Sequence, residues 1–395
     1  MKIELSDGAN TTLLEGAIAA SAGTYAWNIP AGQAVGSNYT VIISGLGNGA
    51  PSDASDAPFS IVAPQPIDNI VINEIMYNGP EGGTDTTEFI ELYNRGAMAV
   101  NLENYYFSQG VEFVFPDYEL APDSYLVVAY RANVMLNSYG IEALQWTGGG
   151  LSNSGETLEL MNSAGQQVDI VNFDDAGVWP VAPDGYGPSL ALTDPFADNN
   201  DGTNWKPETT FAFTNADGMA IYATPGAANF ADPGQGILLK SGLSGISTYL
   251  DLNNPAMETN MQPVVEKLLG AQDFSKVYLP GNGVNTIGNW NPDKGYQINL
   301  TSQLYLVLYG TESADHTAAL TTGWNGLPVL SSCPVDAAAL FGGHAEIIFV
   351  KEMGSNRIYY PAGNVFTLQT LQPGSACFIK VNAPINLTYP DCEGK

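Results

Sequence analysis

The sequence predicts a mainly β protein. Two observations carry this prediction: Val, Ile, Thr, Tyr and Phe fill long stretches of a chain that is 45% apolar, and 43 glycines and 25 prolines recur at short intervals as turn residues. A chain of 395 residues is long enough for two or three domains. No run of 18 apolar residues occurs, so we expect no membrane-spanning segment.

The first segment, residues 1–63, contains the strand-like stretches KIELS, GTYAWNIP, NYTVIISG and SDAPFSIVAP. We interpret them as a partial Ig-like β-sandwich, which ends at the Pro-containing linker APQPID (63–68). The order of these motifs resembles the Ig-like N-terminal domain of the Ser/Thr-rich GPI-anchored protein family, which also occurs in bacterial surface proteins. That family has two further strands before KIEL. The resemblance implies either a shortened domain or strands supplied by a neighbouring segment.

The second segment, residues 68–230, is strand-like almost throughout and ends at the linker ADPGQG (231–236). It contains, in order, the motifs INEIMY, EFIELYN, GLSNSGETLEL, VWP, SLAL, NW and TPGAAN. This set resembles the lamin-tail domain. The resemblance implies a second Ig-like β-sandwich and a non-catalytic appendage of secreted or surface proteins. RANVMLNSYG (131–140) is its one expected helix.

The third segment, residues 237–395, contains an internal repeat with copies at about 237–310 and 320–395. Residues 277–300 align with residues 358–381 at an offset of 81. The upstream stretch GLSGISTYL aligns with GLPVLSSCP at an offset of 84. The segment resembles a tandem β-rich module of large secreted Bacteroidota proteins. We expect one short helix per copy, within METNMQPVVEKLLG and VDAAALFGG.

The three cysteines match no zinc-binding spacing. The repeat alignment places Tyr249 opposite Cys333 and Tyr296 opposite Cys377. If the two tyrosines touch in the first copy, the two cysteines lie close enough in the second copy for a disulfide. We therefore predict Cys333–Cys377 with Cys392 free. The alternative is three buried, reduced thiols.

Three carboxylates, Glu74, Glu88 and Glu91, lie in strand-like runs of a chain with only 13% charged residues. Strand parity places Glu88 and Glu91 on opposite faces, so they cannot form an acid/base pair with each other. Glu74 is expected on the face of Ile70, Ile72 and Met76, where an adjacent strand could bring it near one of the other two. We predict structural carboxylates in a buried hydrogen-bond network rather than catalytic groups.

The acidic loop LTDPFADNNDGTNW is a candidate calcium site, with Asp194, Asp198, Asn200 and Asp201 as ligands, because calcium prefers hard oxygen ligands. The EF-hand register fails in this loop. The alternative interpretation is a turn stabilised by Asx side chains. No other cofactor is expected.

Several classes of function are disfavoured. The chain carries 41 acidic and 12 basic residues, a net charge of −29 that repels phosphate backbones, so we expect no nucleic-acid partner. No HExxH, GxSxG, P-loop or GxGxxG motif occurs, and we expect no enzymatic activity. Among the tryptophans, Trp290 is the best candidate for an exposed carbohydrate-binding side chain.

Together these features predict a multi-domain protein that is extracellular or on the cell surface and acts in binding, adhesion or spacing. Its expected partners are other surface proteins or glycans. Two alternatives remain at this point. The chain could be the accessory region of a secreted hydrolase, or the subunit of an extracellular fibre that self-assembles by strand donation to the incomplete first domain.

Overall fold

The computed structural model describes residues 1–30, 32–61 and 69–392, and it confirms the prediction of a mainly β protein. The chain forms two compact units, residues 1–67 and 68–395. The linker predicted at 63–68 lies outside the described residues. In the described ranges, no helix has both the length and the apolar character needed to cross a membrane.

The first unit is one antiparallel sheet whose strands are β1 (Lys2–Ser6), β2 (Thr11–Glu15), β3 (Gly36–Ser44), β4 (Ser52–Ala54) and β5 (Phe59–Ile61). β3 is central and pairs with β1, β4 and β5, while β2 pairs with β1. Its small core consists of Leu5, Tyr39 and Ile61, with Trp27 packed against them. The described residues form this five-stranded sheet, and the partial Ig-like β-sandwich stays a prediction for this segment. Residues 23–30, predicted as a strand, are irregular.

The second unit begins with a sandwich built from thirteen strands and one short helix. These elements are β6 (Ile70–Met76), β7 (Phe89–Asn94), β8 (Val100–Asn101), β9 (Tyr106–Gln109), β10 (Glu119–Leu120), β11 (Tyr125–Ala129), α1 (Ala132–Val134), β12 (Leu144–Gln145), β13 (Glu156–Met161), β14 (Gln167–Phe173), β15 (Leu190–Leu192), β16 (Trp205–Pro207), β17 (Phe211–Thr214) and β18 (Ala220–Tyr222). A π-helical turn over Met135–Tyr139 continues α1 within the predicted helix 131–140.

The large sheet of this sandwich has the strand order β12-β11-β7-β6-β15-β16, and the small sheet has the order β14-β13-β9. The main core contains Ile72 and Leu92 from the large sheet together with Leu158 and Val171 from the small one. A second core, around Phe89, covers the other face of the large sheet with the π-helical turn and β18. The central strands β6 and β7 are thus buried on both faces, which explains their nearly continuous apolar sequences.

Two β-rich modules complete the second unit. The first consists of β19 (Gln235–Leu239), β20 (Gly242–Ile246), β21 (Leu250–Leu252), α2 (Met257–Met261), β22 (Leu268–Gln272), β23 (Val277–Leu279), β24 (Val284–Asn285), β25 (Tyr296–Leu300), β26 (Leu304–Leu308) and β27 (Gly310–Glu312). The second consists of β28 (Thr317–Leu320), β29 (Gly323–Pro328), β30 (Val335–Asp336), α3 (Ala337–Phe341), β31 (Ile347–Glu352), β32 (Ile358–Tyr360), β33 (Val365–Phe366), β34 (Thr370–Leu371), β35 (Ala376–Val381) and β36 (Ile385–Thr388).

The two modules share one topology. The sheet β20-β25-β22-β23-β24 of the first matches β29-β35-β31-β32-β33 of the second, and the pair β19-β26 matches β28-β36. A register shift follows the first residue of β22 and the first residue of β31, so even this irregularity is repeated. Each module has one short helix, although α2 ends at Met261, well before the predicted residue 270.

The spatial repeat has an offset of 81 in the upstream strands as well. Gly242 pairs with Leu300 in the first module, and Gly323 pairs with Val381 in the second. The offset of 84 used for the upstream stretch is therefore wrong. Tyr249 corresponds to position 330 rather than to Cys333.

Candidate functional site

The pairing of β6 with β7 brings Glu74 directly opposite Glu91 in the centre of the large sheet. A register shift between Ile72 and Glu74 makes Asn73 the extra residue of a β-bulge. Because the bulge reverses the alternation of side chains, Glu74 does not share a face with Ile70 and Ile72, which lie in the main core. The parity prediction for Glu74 is therefore wrong for Ile70 and Ile72, whereas Met76, beyond the bulge, lies on the face of Glu74. Sequence alternation alone cannot reveal an inserted residue.

Both carboxylates are fully buried and hydrogen bonded. Glu74 Oε1 accepts hydrogen bonds from the Ser189 hydroxyl and from the Thr224 backbone N–H, the latter at 2.9 Å. Glu91 Oε1 accepts from Asn73 Nδ2 at 2.9 Å, and Glu91 Oε2 accepts from the Gly226 N–H at 2.6 Å. The two side chains therefore hold the segment after β18 against the central strands.

A third buried carboxylate, Glu208, completes the cluster and was not identified from the sequence. Its Oε1 accepts from the N–H groups of Thr209 and Thr210, each at 2.8 Å, and its Oε2 accepts from the Phe230 N–H at 2.9 Å. Like Glu74, it is an isolated charge in a strand-rich part of a charge-poor chain. Its position one residue beyond the three-residue strand β16 gave no periodicity to mark it.

The motif TPGAAN (224–229) contacts all three carboxylates. The Asn229 amide nitrogen donates to the carbonyl groups of Asn73 and Leu192, at 3.0 and 2.9 Å. The Thr224 hydroxyl lies 3.3 Å from Glu74 Oε2, 3.3 Å from Glu208 Oε2 and 3.2 Å from Asn229 Oδ1. The motif thus contacts the large sheet through side chains as well as through its backbone.

The Thr224 hydroxyl lies within hydrogen-bond distance of more oxygens than it can donate to. Three acceptor oxygens surround one O–H, which can donate only once. Asn229 Oδ1 also accepts from Asn73 Nδ2 at 3.3 Å, and the amide is not flipped, because its Nδ2 faces two carbonyl oxygens. A protonated carboxyl that donates to Thr224 satisfies the arrangement.

The electrostatics place that proton on Glu74. Burial, and then the negative charge of Glu208, raise the pKa of Glu74 to about 8. Burial and the neighbouring Glu74 also raise the pKa of Glu91. Both oxygens of Glu91, however, face N–H donors, whereas Glu74 Oε2 faces a hydroxyl that can accept. We therefore assign the shared proton to Glu74.

This cluster stabilises the fold and is closed to substrates. Glu74, Glu91 and Glu208 have no exposed surface, and hydrogen bonds from the protein occupy their oxygens. A general acid or base must lie within hydrogen-bond reach of a substrate atom. The arrangement instead cross-links the central strands to the chain segments after β16 and β18.

Glu88 lies apart from this cluster, immediately before β7. Its Oε2 accepts from the Leu151 N–H at 3.0 Å. Burial raises the pKa of Glu88 to about 7, against the lowering effect of this hydrogen bond. Glu88 thus anchors a loop of the same sandwich and does not meet Glu74 or Glu91.

The four residues of the predicted calcium site do not converge. Each accepts a hydrogen bond from a nearby backbone N–H: Asp194 from Phe196, Asp198 from Asn200, Asn200 from Asn172 and Asp201 from Thr203. Across residues 1–30, 32–61 and 69–392, no group of three or more His, Cys, Asp or Glu side chains could hold a metal ion. These hydrogen bonds favour the alternative of a turn stabilised by Asx side chains, and calcium binding by this loop stays a prediction.

The residue of this loop that reaches the core is Asn199. Its side-chain nitrogen donates to the Ile72 carbonyl at 3.2 Å and to Asp169 at 2.7 Å, and its own carbonyl accepts from Trp205 Nε1 at 2.8 Å. Asp169 also accepts from the Ile72 N–H, next to the bulge. The loop thus pairs backbone groups that the bulge leaves without strand partners.

The structure joins Cys333 to Cys392, with their Cα atoms 5.8 Å apart, and leaves Cys377 as a buried free thiol. The predicted Cys333–Cys377 disulfide is wrong because of the incorrect offset. The cross-strand neighbour of Cys377 is Leu327, just as that of Tyr296 is Ile246.

The tryptophans also differ from expectation. Trp290 is only 3% exposed and packs against Tyr296, whereas Trp324 is 48% exposed. The prediction that Trp290 is the exposed aromatic is therefore wrong. Trp324 lies on the outer surface of β29, where alternation along a short strand next to a glycine gave no clear signal.

Comparison with known proteins gives a family match and similarity to solved structures. A crystal structure of a DUF4876 family protein from Bacteroides thetaiotaomicron VPI-5482 is 12% identical, with a TM-score of 0.26, over 56% of this chain and 87% of that chain. No protein with a curated description matches this sequence. Residues 63–175, which include β6 to β14, match the family model described as Lamin Tail Domain, in agreement with the resemblance of the second segment.

Proposed function

We propose that this chain is a non-catalytic binding and spacer region of an extracellular or cell-surface protein. The observation that carries the proposal is the closed carboxylate cluster. The acidic side chains that most resemble a catalytic set, Glu74, Glu91 and Glu208, are fully buried and engaged in holding one sandwich together. The function is therefore expected to come from the surface of a stable scaffold.

Two properties support a location outside the cytoplasm. The Cys333–Cys392 disulfide closes a loop between residues 59 positions apart, and such bonds persist in oxidising compartments. A net charge of −29 with few lysines suits a protein that must stay soluble and avoid non-specific contacts at a crowded surface.

A spacer role is supported by the packing between the sandwich and the first module. Tyr222 of β18 contacts Tyr305 of β26 in an edge-to-face arrangement with ring centres 5.7 Å apart. The Tyr309 hydroxyl donates to the Thr209 carbonyl at 2.7 Å. These contacts favour a rigid connection that presents the modules at a fixed distance from the sandwich.

Self-assembly is the second candidate function, favoured by the surface of the first unit. Among its described residues, 1–30 and 32–61, three apolar side chains form the buried cluster, whereas Leu13 is 58%, Ile29 is 55% and Val35 is 61% exposed. A strand or sheet from another molecule could cover such side chains. Sedimentation velocity over a hundredfold concentration range tests this role, and a monomer at every concentration contradicts it.

The main proposal is tested by protease treatment of intact cells of the organism that makes the chain. We expect cleavage from outside, and we expect mass spectrometry without reduction to recover the peptides of Cys333 and Cys392 as one linked species. A protein that resists protease until the cells are lysed, with both thiols reduced, contradicts an extracellular role.

A further inference from the structure

The two modules pack around an internal two-fold axis. A Cβ atom on Gly245 would lie 2.6 Å from the Ala376 carbonyl oxygen, and a Cβ atom on Gly326 would lie 2.4 Å from the Gly295 carbonyl oxygen. Gly326 is the counterpart of Gly245, and Ala376 is the counterpart of Gly295, each at the offset of 81. Each module thus places the same two positions against the other, which is the pattern of an isologous interface within one chain.

This symmetry creates two equivalent clefts between the modules. The Trp324 cleft lies between residues 273–275 and 291–295 of the first module and residues 319–326 of the second, and encloses about 460 Å³. Adding or subtracting 81 maps this lining onto the second cleft, which we call the Leu243 cleft. That cleft is lined by Ser244, next to Leu243, and by residues around Gly354 and Gln372, and encloses about 260 Å³.

The two clefts have diverged in their aromatic side chains. Trp324 and Phe274 line the larger cleft and are 48% and 58% exposed. Their counterparts at the offset of 81 are Leu243 and Ser355. A large exposed aromatic side chain lowers solubility and does not stabilise the core. Two such side chains in one cleft, and none at the equivalent positions of the other, therefore indicate a ligand-binding site.

The polar side chains of the Trp324 cleft have diverged in the same way. Asp293 and Lys294 stand where the other cleft has Gly374 and Ser375. Lys294 Nζ donates to Asp273 at 3.1 Å, an ion pair at the base of the cleft. Within residues 69–392, no hydrogen bond engages the Asn291 side-chain nitrogen or the Asp293 carboxylate. The Asn291 oxygen accepts only from the Asp293 N–H.

This combination fits a neutral sugar better than other ligands. A pyranose ring presents a face of C–H groups, which packs on an aromatic ring, and a rim of hydroxyls that both donate and accept hydrogen bonds. A cationic ligand is disfavoured because Lys294 lies in the cleft and Lys380 Nζ already lies 5.7 Å over the Trp324 ring. An anionic ligand is disfavoured by Asp293 and by the charge of −29 on the whole chain.

We propose that the Trp324 cleft binds a neutral oligosaccharide, with Trp324 and Phe274 as stacking platforms and Asn291 and Asp293 as hydroxyl-binding groups. The proposal rests on the binding role inferred above and names its ligand class. The Leu243 cleft has the same backbone arrangement but lacks the two aromatic side chains, so it serves as an internal control.

The test uses the full chain in isothermal titration calorimetry and saturation-transfer NMR. The probes are four neutral hexasaccharides, derived from cellulose, mannan, xylan and chitin. We expect at least one of them to bind. Trp324→Leu, which introduces the residue found at the equivalent position of the second cleft, removes the stacked ring. We expect it to weaken that binding about tenfold, which corresponds to about 1.4 kcal/mol.

Leu243→Ala is the matched control, since Leu243 is 51% exposed at the equivalent position and its substitution should leave the affinity within about twofold. Thermal melting of both variants shows whether they are folded. The proposal is overturned if none of the four sugars binds, if Trp324→Leu retains full affinity, or if both substitutions weaken binding equally. These outcomes leave the protease test of surface exposure unaffected, so the two proposals can fail separately.

Discussion

Replacing Glu74 by Gln is a sharp test of the shared proton, because an amide keeps the shape of a protonated carboxyl and cannot ionise. In the folded chain, burial and the charge of Glu208 raise the pKa of Glu74 from 4.5 to about 8. The amide nitrogen of Gln can donate to the Thr224 hydroxyl, as the protonated Glu74 does, while its oxygen accepts from Ser189 and from the Thr224 N–H.

The sign of the pH dependence follows from this shift. Below about pH 4.5 both the folded and the unfolded chain hold the proton, so the contribution of Glu74 to stability is fully present. Above that pH the unfolded chain releases the proton while the folded chain keeps it, and stability falls by about 1.4 kcal/mol per pH unit until pH rises through about 8. We expect the wild type to lose roughly 3–5 kcal/mol between pH 5 and pH 9 from this group.

The Glu74→Gln variant should lack this loss. We expect its free energy of unfolding to match that of the wild type within about 1 kcal/mol at pH 5 and to exceed it by roughly 3–5 kcal/mol at pH 9. Urea unfolding at both pH values measures the difference. Hydrogen exchange of peptides from β6 and β7, corrected for the pH dependence of intrinsic exchange, shows whether the change lies in the large sheet.

Glu91→Gln is the matched control at the paired position. Both oxygens of Glu91 accept from N–H groups, of Asn73 and Gly226, so an amide nitrogen must face one of these donors. We expect a loss of about 1–3 kcal/mol at pH 5, where Glu74→Gln is expected to be nearly neutral. The reasoning is refuted if Glu74→Gln destabilises the protein equally at pH 5 and pH 9, or if the two variants behave alike.

Three further predictions concern other parts of the chain. Cys392→Ser should lower the free energy of unfolding by about 2–4 kcal/mol in denaturant titrations without reductant, because the bond to Cys333 closes a long loop. An unchanged midpoint would argue against the disulfide. Gly326→Ala should lower the free energy of unfolding by about 1–3 kcal/mol, because its Cβ would overlap the backbone of the first module. Gly281→Ala should be nearly neutral, because the space around Gly281 is open. Equal effects in thermal melts would contradict the tight interface. The addition of calcium and then of EDTA should leave the melting midpoint unchanged, because backbone N–H groups donate to the side chains of Asp198 and Asp201. A shift of several degrees would show that the loop binds calcium.

The broad architecture was predictable because it depends on patterns that are local in sequence. Apolar alternation and turn residues specify strands, and the similarity of residues 277–300 to residues 358–381 reveals the duplication. The structure agrees with both patterns: it is mainly β and contains two modules of one topology. The first unit was harder, because residues 23–30 are apolar enough for a strand yet are irregular next to the sheet.

The carboxylate cluster was only partly predictable. The isolated charges of Glu74 and Glu91 in apolar strands marked them as unusual, and their burial in a hydrogen-bond network is what a charge-poor interior requires. Their mutual pairing depends on a bulge at Asn73, which leaves no trace in the alternation of side chains. Glu208 and Thr224 escaped notice because they lie more than 100 residues from Glu74 along the chain.

The errors in the cysteine and aromatic predictions have one physical origin. A repeat alignment transfers contacts only where its offset is right, and a shift of three residues moved the counterpart of Tyr249 from Leu330 to Cys333. The strand partner of Cys377 is Leu327. Side-chain exposure is a property of the assembled modules. Trp290 and Trp324 differ in exposure because one lies within a module core and the other beside the cleft between modules.

The central claim is that the conspicuous carboxylates form a closed structural cluster with one shared proton. Carbon-13 NMR of the full chain, labelled at the side-chain carboxyl carbon of Glu, measures this directly as a function of pH. We predict a resonance that titrates near pH 8 and disappears in Glu74→Gln, beside the resonance of Glu88, which titrates near pH 7 and persists in that variant. Titration of every glutamate below about pH 5.5 would contradict the account, since ordinary solvated carboxyls titrate near pH 4.3.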